Sequence, residues 1–248
     1  IVGQGPARAG LEARAAARGA DGLLAVSSAM ADDMVALGMP ADRIRVHHTG
    51  VDAAMFAPVD RAAAKAALGV AGPLLVSVGY LIERKGQRLA IEALPRLPGA
   101  TLLIVGQGPA RAGLEARAAA LGLSDRVRFL GSLPHAALPA LLGAADVMVL
   151  PSASEGLANV WVEALSCGTP VVTADVGGAR SVVNRPAAGR LAALDPSAIA
   201  AAIGDILADP PTQQAARAAV AAFTWKANTA ALYDHLRGLV GQRTRRPA

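Results

Sequence analysis

From Gly22 onward, short β-branched apolar runs alternate with longer alanine- and leucine-rich stretches of helical character. The runs predict strands at LLAVS near residue 25, RIRVHH near 45, LLVSVG at 74–79, TLLIVG at 101–106, RVRFLG at 126–131, DVMVLP at 146–151, PVVTA at 170–174 and GRLAA at 189–193. Their unbroken hydrophobicity implies burial on both faces, as in a parallel sheet. The stretches between them predict helices over roughly 29–38, 60–69, 86–95, 110–122, 135–145, 158–167 and 197–208, then over Gln213–Ala222 and Lys226–Val240. Alternating strands and helices read as βαβ units, so the expected fold class is α/β: a doubly wound, Rossmann-like parallel sheet.

The segment TGVDAAMFAPVDRAAA carries Gly, Pro and Asp in the manner of a linker and separates the first two strands from the last six. Six strands suffice for one Rossmann-like domain, whereas two strands and a helix read as the remnant of another. The front of the chain holds an exact repeat: Ile1 to Ala17 is identical to Ile104 to Ala120. Only the second copy is framed by strands, so the first is set aside from the functional argument. The expected organisation is therefore a duplicated segment over 1–19, an N-terminal remnant and linker over 20–58, a ligand-binding domain over 59–222, and a C-terminal helix with a basic tail over 223–248.

Composition narrows the picture. A chain of 248 residues that is 53% hydrophobic and 17% charged has ample material for a core. About a quarter of it is alanine and 3% is aromatic, which suits close helix packing. The single cysteine, Cys167, offers no internal disulfide and no metal cluster, so a cytoplasmic setting is expected. No apolar run reaches the ~20 residues of a spanning helix, and the N-terminus lacks the order of a signal peptide. The net charge of +5 comes partly from the terminal GQRTRRPA, and the remaining basic residues are interspersed with acids. Nucleic acid is not an expected partner, whereas peripheral association with an anionic membrane face is compatible with this charge.

In a doubly wound sheet, ligands bind beyond the carboxyl ends of the strands. Two loops there carry chemistry. After DVMVL comes PSASEGLANVWVEALSCGTPVV, with Glu155 before a helix and Glu163 eight residues later within it. At ~1.5 Å rise per residue, Glu163 is expected about two turns below the helix start. Between the carboxylates lie the free amides of Ala158, Asn159 and Val160, at a positive dipole end that favours phosphate. Carboxylates suit paired sugar hydroxyls instead. Hydroxyls, phosphates, hydroxyls is the layout of a nucleotide-sugar. The competing reading makes Glu155 a helix cap and Glu163 a solvated side chain; against it, Glu163 stands in the apolar stretch VWVEALSC, where an unpaired charge is costly. The second loop, GYLIERKGQ after the first strand of this domain, sets Arg84 and Lys85 beside Gly86 and a helix start. Arg offers bidentate bonds to phosphate and Lys a mobile charge, so the pair suits a diphosphate leaving group.

Other candidates are weaker. VGQGPAR matches the dinucleotide fingerprint at two glycines but has Arg111 at the third position. Asp32 and Asp33 point about 100° apart on a helix, and His47 and His48 fall on opposite faces of a strand, so neither pair chelates. Cys167 reads as a small buried side chain.

The series VSSAM, TGVDAAMF, GYLIERKG, LLIVGQGP, RVRFLGSLP, ADVMVLPSASEGLANVWVEALSCGTPVV and DVGGARSVV closely resembles the donor-binding half of retaining GT-B glycosyltransferases of family four, over about residues 20–240. The resemblance implies metal-independent transfer of a hexosyl group, with retention, from a nucleotide-sugar to an acceptor that the sequence does not name. It implies no cofactor. Glu155 would contact hydroxyls of the transferred sugar, Glu163 the ribose, Lys85 the pyrophosphate, and the loop at Ser132 and Leu133 the base. The donor-binding set is thereby Gly79, Tyr80, Arg84, Lys85, Ser132, Leu133, Glu155, Gly156, Leu157, Ala158, Asn159, Val160 and Glu163, with Lys85, Arg84 and Glu155 acting in the transfer.

There are departures. Tyr80 stands where the family often has Arg, with Arg84 a candidate replacement. Ser181 stands where GG-x-x-E has Glu, and TGVD replaces NGVD. In the family, the acceptor lies in an N-terminal domain of which the chain carries the last piece, so the chain alone is expected to be inactive. A non-catalytic nucleotide-sugar-binding module and a nucleotide-sugar epimerase on a GT-B scaffold are the alternatives.

Overall fold

The computed structural model describes residues 14–243. The first thirteen residues of the duplicated segment and the last five of the basic tail lie outside them. The chain divides into two compact units, one made of Ile1–Gly50 with Phe223–Ala248 and the other of Val51–Ala222.

In the described part of the first unit, helix α1 (residues 14–19) precedes β1 (Leu23–Ala25), α2 (Ser28–Ala36) and β2 (Ile44–Val46). The two strands pair in parallel, Leu23 opposite Ile44. Ser27 caps α2 by accepting from Met30 N at 3.2 Å. Ala17, Ala25, Met39 and Ile44 form the small core of this unit. Helix α11 (Trp225–Arg243) is anchored at its start, where Asn228 Nδ2 donates to the His48 carbonyl at 2.6 Å and the His48 ring meets Phe223. Further along, Tyr233, Leu236 and Val240 of α11 are exposed.

The second unit contains β3 (Leu74–Val78), β4 (Thr101–Val105), β5 (Val127–Gly131), β6 (Val147–Val149), β7 (Val171–Thr173) and β8 (Gly189–Leu191), all paired in parallel. Their order is β5-β4-β3-β6-β7-β8. The chain thus winds outward from β3 one way and from β6 the other, which is the Rossmann order with its switch point between those strands. Every residue of β3, β6 and β7 is buried, as their largely apolar sequences require, while edge strand β5 alternates buried or half-buried positions with exposed ones.

Helices α3 (Arg61–Ala67), α4 (Gln87–Ala93), α5 (Arg111–Ala120), α6 (Leu138–Ala144), α7 (Asn159–Ser166), α8 (Ala179–Val182), α9 (Pro196–Ala208) and α10 (Gln213–Arg217) complete this unit. The core cluster joins Ile91 and Leu94 to Leu102, Ile104, Ile199 and Ile203. Asp195 caps α9 by accepting from Ser197 N and Ala198 N, with Pro196 in the first turn.

The differences from the expected elements have local causes. Leu94 keeps helical dihedrals, but Pro95 has no N–H to donate back to the Ile91 carbonyl, so α4 stops at Ala93 and the chain continues as a 3-10 turn over Leu94–Arg96. The helix expected over 135–145 opens as a 3-10 turn at His135–Ala137, and the one over Gln213–Ala222 ends as another at Ala218–Val220. The four-residue α8 is too short to leave a periodic signal. The larger unit starts at Val51, ahead of the boundary expected near 58, because Val51 and Phe56 are buried and the side chain of Arg217 donates to the carbonyls of Ala53 and Phe56.

Candidate functional site

The loops that leave β3 and β6 emerge side by side at the switch point. The β3 loop runs through Gly79 and Tyr80 to a 3-10 turn at Glu83–Lys85, and Gly86 then turns the chain into α4. Gly86 has φ 73°, and a Cβ there would lie 2.1 Å from the Pro151 carbonyl oxygen of the β6 loop. The two loops are also joined by Ala153 N, which donates to the Arg84 carbonyl at 2.8 Å.

This approach brings Lys85 Nζ within 2.6 Å of Glu155 Oε1, with 17% and 10% of their side chains exposed. Arg84, more open, donates to the Ser154 carbonyl and comes within 3.9 Å of the same Glu155 oxygen. The residues expected to act together thus converge at one point. Glu155 does not cap the helix that follows: Ala158 holds the N-cap position, and no side chain caps α7. The leading amides of α7 therefore have no side-chain acceptor, and the positive end of the helix is open to an anion. Gly156 and Leu157 lead into it, Asn159 and Val160 form its first turn, and Tyr80 is exposed on the adjacent loop.

Glu163 lies closer to the start of α7 than the expected two turns, because residues 155–158 are not helical. It is the fifth helical residue, roughly 7 Å along the axis from the N-cap. Its neighbours Trp161, Val162, Ala164 and Leu165 are buried, but Glu163 is not left unpaired. His135 Nε2 lies 2.9 Å from its Oε1. Ser132 and Leu133, expected against a base, belong to the β5 loop that delivers His135.

His135, Gln87 and Ser152 carried no sequence signal of their own, whereas Gly177, Gly178 and Ser181 belong to the segment GGARS. His135 is distant in sequence from Glu163 and follows no spacing rule. Gly177, at φ 49°, sits so close to the Glu155 loop that a Cβ would stand 1.8 Å from the Glu155 carbonyl oxygen, and Gly178 N donates to the Gly156 carbonyl at 2.6 Å. Gln87 and Ser152 are buried beside the site, and Gln87 Oε1 and Ser152 Oγ have no partner among the described residues. Ser181 is half-buried in α8, just beyond the glycine pair.

The weaker candidates resolve structurally. Arg111 pairs with Glu115 at 2.8 Å and lies over the Phe129 ring. Cys167 is fully buried, and burial, with the nearby Glu163 charge adding to it, pushes its thiol up to about 12. Among the described residues no three His, Cys, Asp or Glu side chains gather as a metal site requires, and no helix is long and apolar enough to cross a membrane.

Known proteins resemble the chain in sequence and in fold. The family profile described as Glycosyl transferases group 1 matches residues 60–222, well over half the chain, and one described as Glycosyltransferase Family 4 matches residues 4–54. A curated D-inositol 3-phosphate glycosyltransferase from Mycolicibacterium vanbaalenii is 40% identical over 86% of the chain and 52% of its own length. The chain thus spans about half the length of such relatives. Anabaena HepE in complex with UDP-glucose superposes with a TM-score of 0.86 at 27% identity, covering 94% of this chain and 68% of that one. Sucrose-phosphate synthase from Thermosynechococcus elongatus gives a TM-score of 0.87 at 29% identity, covering 98% and 65%. The six-stranded unit has the architecture of the C-terminal half of a GT-B glycosyltransferase. The chain belongs to the glycosyl transferases group 1 family.

Proposed function

We propose that the chain supplies the donor-binding half of a retaining, metal-independent hexosyltransferase of glycosyltransferase family four. The observation that carries this reading is the Lys85–Glu155 pair, set across the switch point beside the uncapped start of α7. A cation, free helix amides and a carboxylate within one loop cluster can divide a nucleotide-sugar between them. On binding, Lys85 exchanges Glu155 for the diphosphate, the α7 amides take the remaining phosphate oxygens, and Glu155 accepts from hydroxyls of the sugar. Glu163 accepts from the ribose, and the loop at Ser132 and Leu133 lies against the base.

During transfer, negative charge grows on the leaving diphosphate. Lys85, Arg84 and the α7 amides stabilise it, and the phosphate oxygen assists removal of the acceptor proton on the face the sugar keeps. Arg84 takes the role that a cation at position 80 would have, since its guanidinium reaches the Glu155 carboxylate while Tyr80 is exposed. The UDP-glucose complex of HepE makes a uridine diphosphate sugar the first donor to test, and the names of the curated relatives make D-inositol 3-phosphate the first acceptor. The lone buried thiol and basic tail fit work in the cytoplasm, at or near the inner membrane face.

A second reading, a module that binds the nucleotide-sugar without transferring it, is favoured by Tyr80 and by Ser181, which leaves the segment after Gly177–Gly178 without its carboxylate. An epimerase on the same scaffold would interconvert sugars with no acceptor added. The test is calorimetric titration with UDP, GDP and ADP and their glucose or mannose conjugates, without metal and then with magnesium. Saturable binding to one base in the absence of metal is expected. No binding to any of them would overturn the donor-site reading.

A further inference from the structure

We propose that His135 is a positioning residue for Glu163, holding one carboxylate oxygen so that the other faces the ribose of the bound nucleotide. The inference rests on the reading of Glu163 as the ribose ligand and adds the group that orients it. A carboxylate only accepts hydrogen bonds, so the 2.9 Å contact between His135 Nε2 and Glu163 Oε1 places the proton on Nε2. With Oε1 engaged, Oε2 is the oxygen left for a hydroxyl pair. The need for such a partner is physical: Glu163 is only 14% exposed, and a carboxylate that far from solvent is costly without a donor.

The imidazole, 61% exposed, rests against a buried ring. Its ring meets that of Phe56 at a centroid distance of 5.1 Å and an interplanar angle of 57°. Phe56 is 1% exposed, and its carbonyl accepts from Ser166 Oγ at 2.7 Å. Ser166 ends the helix that carries Glu163. Helix α7, Phe56 and His135 therefore form a closed bracket around the carboxylate, and each contact fixes the next. The bracket also ties two parts of the binding site together, because His135 directly follows the loop of Ser132 and Leu133. A nucleotide whose base orders that loop would set the ribose carboxylate at the same time.

The experiment compares whichever of UDP, GDP and ADP binds best with its 2′,3′-dideoxy counterpart, in the wild-type chain and in His135→Phe, His135→Gln, Glu163→Ala and the His135→Phe/Glu163→Ala double variant. Phe keeps a ring against Phe56 but has no N–H, whereas Gln restores an N–H at similar reach. His135→Phe is expected to weaken the ribonucleotide roughly fivefold, leave the dideoxy ligand unchanged, and add nothing in the Glu163→Ala background. His135→Gln should recover most of that affinity. Equal losses for both ligands, or losses that add to those of Glu163→Ala, would overturn the role of His135 while leaving that of Glu163 intact. If Glu163→Ala fails to discriminate between the two ligands, the ribose reading falls, and the proposal with it. Unchanged melting temperatures separate these effects from unfolding.

Discussion

Strands β3 and β6 carry a lysine–carboxylate pair at each end, and the two pairs do different work. At the amino end, Asp146 Oδ2 accepts from Lys65 Nζ and from Leu74 N, both at 2.7 Å. Asp146 directly precedes β6 and Leu74 opens β3, so one carboxylate oxygen pins the starts of both strands. At the carboxyl end, Lys85 and Glu155 meet at 2.6 Å, but from loops, and beside helix amides that no side chain caps. Distances and burial are nearly alike. Asp146 is tied to the backbone of a strand, so its bonds are spent on the fold; among the described residues Glu155 is held by the cationic side chains of Lys85 and Arg84, which an anionic ligand can compete for.

The comparison breaks most sharply at Lys85. Lys85→Ala should cut affinity for the nucleotide diphosphate and the nucleotide-sugar by about 100-fold, the loss of a charge-assisted bond to phosphate. Its melting temperature should move less than that of an Asp146 variant. Gly177→Ala should lower nucleotide-sugar affinity about tenfold, because its Cβ would displace the Glu155 carbonyl and carry the carboxylate off its line. At the other end, Asp146→Ala should cost about 2 kcal/mol of stability, since it strands Lys65 and a backbone N–H, and lower the melting temperature by several degrees. Nucleotide affinity should stay within about twofold. Titration calorimetry with thermal unfolding reads all three.

The smallest effect concerns α7, whose start faces the site and whose end is inert. Cys167, just beyond it, should resist iodoacetamide at pH 8 until the chain is unfolded, because its buried thiol ionises only at about 12. The sign follows. An unfolded thiol ionises in its ordinary range, so the stability contributed by the neutral buried form is present below that range and is lost as pH rises from it to about 12. Rapid labelling of the folded chain would contradict the packing of this end of the helix.

The sheet and its order of elements were legible because buried parallel strands leave unbroken apolar runs, and the helices between them leave alanine and leucine at helical spacing. The charged members of the site were legible because Lys85 and Glu155 sit in loops whose place at the strand ends follows from the fold class. His135 was not: its partnership with Glu163 arises from the way the β5 loop folds over α7, which no local period encodes. The start of the larger unit at Val51 was hidden for a similar reason, since linker-like composition in TGVDAAMFAPVD gives no sign that Phe56 is buried against Ser166 and Arg217. The depth of Glu163 within α7 depended on where the helix begins, and element boundaries are set by capping and tertiary contacts that sequence periodicity resolves poorly.

The central claim is that the two glutamates of the β6 loop and α7 grip different parts of one ligand. The most direct test titrates Glu155→Ala and Glu163→Ala with the best-binding nucleoside diphosphate and with its sugar conjugate. Glu155→Ala should weaken the conjugate about tenfold while leaving the diphosphate within about threefold, and Glu163→Ala should weaken both alike, because the ribose belongs to both. Equal losses for the two ligands in Glu155→Ala, or unchanged diphosphate affinity in Glu163→Ala, would contradict this division of the site.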